Sequence, residues 1–126
     1  MSFDNLLQPE REDLVKDNFL FKGKWSNFFK NNNFKITSNT YFDIESDVDI
    51  GKVDQDQLFE ILSTIDHKNA EALFVSCTSL PVLNIIEKLE QKLNMTVLSS
   101  NQALIWETLE RINRNNSIKG YGSLFS

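Results

Sequence analysis

A chain of 126 residues with 13 Lys and Arg against 18 Asp and Glu has room for one hydrophobic core and carries a net charge of −5. With a pI near 4.8, long-range attraction to nucleic acid or to an anionic membrane is not expected. A single cysteine excludes an internal disulfide, and with no signal-peptide pattern or long apolar span the expected compartment is the cytoplasm.

Residues 1–10 match no recognisable element, and residues 11–126 are expected to form one α/β domain. Five lysines between Lys16 and Lys35 make a local basic stretch, read as a solvated helix face because the overall charge opposes phosphate binding. Leu14-Val15 is too short to define a strand. A helix is predicted from about Phe19 to Lys30, with Phe21, Trp25, Phe28 and Phe29 on one face, stopped by Asn31-Asn32-Asn33. The alternation in Phe34-Lys35-Ile36-Thr37 predicts a strand. Asp43, Glu45, Asp47 and Asp49 then define an acidic loop. Its spacing tempts a calcium reading, but the glycine and terminal bidentate Glu of an EF-hand are missing.

Asp54 predicts a helix cap, with Gln57 three residues on as in a capping box, and Leu58, Phe59, Ile61, Leu62 and Ile65 form the apolar stripe behind it. His67, the only histidine, falls at that helix end, where the dipole favours a cation, so no metal ligand is assigned to it. Ala72 to Val75 reads as a buried parallel strand. Pro81 marks the expected start of the next helix, with Val82, Leu83, Ile85, Ile86, Leu89 and Leu93 facing the core. Met95 to Leu98 predicts another strand, and a last helix carries Leu104, Ile105, Trp106, Leu109 and Ile112. Gly120-Tyr121-Gly122 signals a turn in the tail. The alternation of strands and helices defines an α/β class with a mainly parallel sheet between helical layers.

Ligands of such sheets bind beyond the carboxyl ends of strands, and Cys77 stands at one of these ends. If a helix starts near Pro81, the amides of Thr78, Ser79 and Leu80 lie at its positive end, where they would hold a carboxylate and favour a thiolate. The Thr78 and Ser79 hydroxyls add donors. The competing reading is a buried cysteine that fills space, which is common. A phosphatase-type C-x5-R loop is excluded by Leu83, and a C-x-x-C redox pair by Leu80.

Residues 70–110, AEALFVSCTSLPVLNIIEKLEQKLNMTVLSSNQALIWETLE, resemble the C-terminal half of maleate cis-trans isomerases and arylmalonate decarboxylases, members of the aspartate/glutamate racemase superfamily. The likeness rests on Ser76-Cys77-Thr78 at a strand end, the helix that follows, and the run Val97 to Ala103 opening the last helix. It extends back through Phe42-Asp43-Ile44 and Ile50-Gly51-Lys52-Val53, covering roughly residues 11 to 126. The resemblance implies one lobe of a two-lobed enzyme that acts on small carboxylates or dicarboxylates through cysteine and uses no cofactor or metal. It implies that Cys77 is the second-lobe nucleophile or proton donor, that Thr78, Ser79 and the adjacent amides hold a substrate carboxylate, and that Asp47 contacts substrate.

The departures are as informative. The family's first lobe, with its own cysteine, has no counterpart here, and the family's Leu-Val-Thr-Pro-Tyr is replaced by Leu14-Val15-Lys16-Asp17-Asn18. Two-cysteine chemistry therefore needs a complement. The implied forms are a half-enzyme, a single-cysteine enzyme, or a non-catalytic carboxylate-binding or interaction module. Trp106 and its apolar neighbours are expected to lack their usual cover, so a homo-oligomer or a separately encoded first lobe is the expected partner.

Overall fold

The computed structural model describes residues 27–40, 44, 46–67 and 69–126, and the chain divides into two compact units. The predicted features at Leu14-Val15, Phe21, Trp25, Asp43 and Glu45 lie outside the described residues.

In the first unit, α1 spans described residues 27–31. Asn33 ends it, as the asparagine run predicts: its φ of 65° is left-handed, its N–H donates to Lys30 O (3.1 Å), and Phe34 N–H donates to Phe29 O (2.9 Å). The Phe29 ring meets Phe28 and Phe34 edge-on at 5.8 and 5.9 Å. The expected strand at Phe34–Thr37 does not form; residues 34–40 have no regular structure. Phe34 spends its N–H on closing α1, and the alternation alone supplies no ladder partner. Within this unit Ser38 Oγ donates to Asp66 O at 2.6 Å.

The second unit holds α2 (Asp47–Gly51), α3 (Gln55–Thr64), β1 (Ala72–Val75), α4 (Ile86–Leu93), β2 (Thr96–Ser99) and α5 (Ser100–Arg111). β1 and β2 pair in parallel, Ala72 opposite Thr96 through Val75 opposite Ser99. This is the β-α-β alternation expected of the α/β class, with a two-stranded sheet among the described residues. The acidic segment expected as a loop is instead helical from Asp47. Ser46 caps α2, its Oγ accepting from Asp49 N–H at 3.4 Å, and Asp47 and Asp49 sit in the first turn, where the dipole favours negative charge. The α3 cap follows the prediction, with Gln57 N–H donating to Asp54 Oδ1 at 3.0 Å.

The core is built from Leu58, Phe59, Ile61 and Leu62 of α3, Val75 and Val97 of the strands, Ile86 and Leu89 of α4, and Leu80, Val82, Ile85 and Phe125 from connecting segments. Burying side chains of this size stabilises the fold by about 1.5–3 kcal/mol each before the entropy of ordering is subtracted. Lys88 lays its ammonium over the Phe59 ring, 4.2 Å from the centroid, so its charged end stays at the surface while its stem covers apolar area.

The helix expected from Pro81 begins later. Val82 N–H donates to Leu80 O at 2.8 Å, a tight turn centred on Pro81, whose ring fixes φ near the value that turn needs. A 3-10 turn at Leu83–Ile85 follows, and the α-helix proper starts only at Ile86. The tail turns at Gly120 and Gly122, both at positive φ, and buries Phe125 through a 3-10 turn at Ser123–Phe125. Glu90 holds it: its carboxylate accepts from Ser123 N–H (2.8 Å), from Ser123 Oγ (2.7 Å) and from Val97 N–H (3.0 Å).

Candidate functional site

Two parallel strands ending at the same level bring their following residues to one edge of the sheet. Val75 pairs with Ser99, so Cys77 and Asn101 each stand two residues beyond a paired position. Cys77 is half-buried and in no disulfide. Thr78 is exposed and Ser79 half-buried, while Leu80 and Val82, at 4% and 0% exposure, anchor the far side of the turn in the core. One end of this turn is thus fixed by β1 and the other by apolar burial, and the polar residues between them are presented outward.

Two further elements reach the turn. Asn101 Nδ2 donates to Thr78 O at 2.9 Å. Gly51, the last residue of α2, is close enough that a Cβ placed there would lie 3.7 Å from Ser79 O. Asp47 belongs to that same single-turn helix, exposed, about 6 Å along its axis from Gly51. The structure therefore gathers Cys77, Thr78 and Ser79 on one turn and sets the helix bearing Asp47 against it.

The sequence reading placed the Thr78, Ser79 and Leu80 amides at a helix N-terminus. That is corrected by the late start of α4: they lie in an open turn, with a Pro81-centred turn and a 3-10 turn between them and the helix. Any anion held there would be held by individual amides and hydroxyls rather than by a helix dipole. Asn101 was missed as a contributor. The available signal was its offset, two residues past its strand, matching that of Cys77.

The second strand end is rigid. Ser99 and Gln102, both fully buried, form a reciprocal cap: Ser99 N–H donates to Gln102 Oε1 (2.8 Å) and Gln102 N–H donates to Ser99 Oγ (3.2 Å). Gln102 Nε2 also donates to Tyr121 O at 2.5 Å, tying the tail to the same point. Among the described residues no group of three or more His, Cys, Asp or Glu is arranged to hold a metal ion, and no helix is long and apolar enough to cross a membrane.

A parallel β-α-β unit with a half-exposed cysteine in the turn after its first strand defines an α/β domain whose candidate site lies at the carboxyl edge of the sheet. The arylmalonate decarboxylase family model matches residues 21–125, and the chain belongs to that family. Maleate isomerase from Geobacillus stearothermophilus is 29% identical over 93 residues, covering 73% of this chain and 37% of that protein. Two solved structures of Nocardia farcinica maleate cis-trans isomerase superpose with a TM-score of 0.74 at 20% identity, covering 85% of this chain and 44% of theirs. One is a cysteine-to-serine mutant with a covalently bound succinylcysteine intermediate, and the other is bound to TRIS. The fold is therefore the α/β fold of the matched part of maleate cis-trans isomerase, and the chain spans less than half the length of these relatives.

Proposed function

We propose that this chain supplies one half of a cofactor-independent site for small dicarboxylates, with the Cys77 thiolate as its nucleophile or proton donor. Thr78, Ser79 and their amides receive a substrate carboxylate, and Asp47 contacts the substrate from α2. The observation that carries the reading is the half-exposed Cys77 in the outward-facing turn after β1, in a chain of this family. In isomerase chemistry, Sγ attacks one alkene carbon and forms a C–S bond, while the π electron pair moves toward the adjacent carboxylate. Rotation about the resulting single bond and expulsion of the thiolate then restore the double bond in the trans form. In decarboxylase chemistry, the C–CO2 bond breaks and the Cys77 thiol gives its proton to the carbanion left behind.

The relatives are more than twice as long as the matched region, which favours completion of the site by a second lobe or a second copy of this chain. The site would lie in a cytoplasmic protein. Turnover of maleate to its trans isomer, and CO2 release from an arylmalonate, test the reading. Cys77→Ala is expected to lower either rate by at least about 100-fold, the lower end of what a positioned proton donor contributes. Activity retained in Cys77→Ala would overturn the cysteine mechanism.

A second reading, a non-catalytic carboxylate-binding or interaction module, is favoured by the apolar residues that α5 leaves exposed: Leu104 at 64%, Ile105 at 40%, with Ile112 just beyond it at 57%. Absence of turnover together with protection of Cys77 by a dicarboxylate against alkylation would select it.

A further inference from the structure

We infer that Asn101 is a positioning residue for the Cys77 turn: by holding Thr78 O it sets the direction in which the Ser79 N–H points. The inference rests on the reading above, that this turn receives a carboxylate. The Asn101 Nδ2 to Thr78 O bond, 2.9 Å long, joins residues 23 apart in sequence and links the ends of the two paired strands. A trans peptide is planar, with its C=O and N–H antiparallel in that plane, so the Thr78 carbonyl and the Ser79 N–H point in opposite directions. Fixing the carbonyl toward α5 therefore fixes the amide away from α5. Among the described residues that N–H has no acceptor. It is left available to an external one.

Neither neighbouring anchor does this work. β1 ends at Val75, and core burial resumes only at Leu80, so the Thr78–Ser79 peptide lies between the two held ends. Nor is the Asn101 side chain needed by its own helix, because Ser99 and Gln102 already form the cap. Alanine at a second helical position carries no propensity penalty. Asn101 thus contributes to the turn and can be changed without loss of α5.

The test uses alkylation of Cys77 by iodoacetamide, followed by intact mass, with succinate as the protecting probe. In Asn101→Ala the succinate concentration giving half-protection is expected to rise about 3- to 10-fold, the worth of one net hydrogen bond. The alkylation rate without succinate is expected to stay within about 2-fold, and the thermal midpoint within about 2 °C. Asn101→Gln, which keeps the donor on a longer arm, is expected to recover at least half of that loss. Unchanged half-protection in Asn101→Ala would overturn the positioning role and leave the carboxylate reading standing. Weakened protection with a lowered midpoint and no recovery by Gln would also overturn it, marking Asn101 as purely structural. Failure of succinate to protect the parent protein would overturn the carboxylate reading, and the inference with it.

Discussion

Gln102 is a fully buried amide whose side chain accepts from Ser99 N–H and donates to Tyr121 O, so an apolar replacement removes a partner from both. Gln102→Leu is therefore expected to cost about 1–3 kcal/mol, the cost of orphaning the N–H of the fully buried Ser99, since Tyr121 is exposed. A lower urea midpoint with an unchanged slope is the corresponding readout. Asp47 differs: it is exposed on α2 and would bring a like charge toward a dicarboxylate. Asp47→Asn should tighten succinate protection of Cys77, and by no more than about 3-fold because solvent and salt screen an exposed charge. A marked loss of protection would count against this charge account of the Asp47 contact. At this scale the sequence revealed residues whose signal is local. Cys77 and Thr78 follow an apolar run that reads as a strand end. The Asn101–Thr78 bond spans 23 residues: the sequence carries only the matching offset of Asn101 and Cys77 from their strands, and tertiary structure reveals the bond itself.

Elements whose ends carry a chemical signature were legible: α3 with its Asp54 cap, α1 with Asn33, β1 at its full length, and the turn at Gly120 and Gly122. The misreadings came from residues with two local solutions. Proline suits a first helical position and equally a tight turn, and here the Leu80–Val82 turn won, delaying α4 by five residues. Alternation in Phe34–Thr37 satisfied a strand pattern without providing a strand neighbour. The two tail glycines separate backbone strain from packing. Both lie near φ +88 to +89°, but a Cβ at Gly122 would come within 2.6 Å of Ile86 Cγ2, whereas at Gly120 nothing lies within 4 Å. Gly120→Ala is expected to cost about 1 kcal/mol and Gly122→Ala at least about 2 kcal/mol more, because Ile86 is fully buried and cannot yield. Equal losses in thermal unfolding would refute the packing part of that account.

For the whole molecule, the surface near α5 is the feature with the largest consequence. Leu104, Ile105 and Ile112 are exposed while Trp106 and Leu109 are half-buried, a concentration of apolar surface of the kind that invites association. Sedimentation velocity is expected to show self-association at micromolar concentration, abolished by Leu104→Glu combined with Ile112→Lys. A compact monomer for the parent chain would count against it. The parallel register has a different consequence. Because Val75 stands opposite Ser99, the reach of Asn101 to Thr78 depends on the length of β2 as much as on its sequence. One residue inserted between Thr96 and Ser99 would exchange the inward and outward faces beyond it and carry Asn101 off its partner. Insertions at 114–118, where the chain is irregular and mostly exposed, would leave that alignment intact. Tolerance to changes in chain length is thus expected to be lowest in β2, a four-residue strand with no candidate catalytic group of its own.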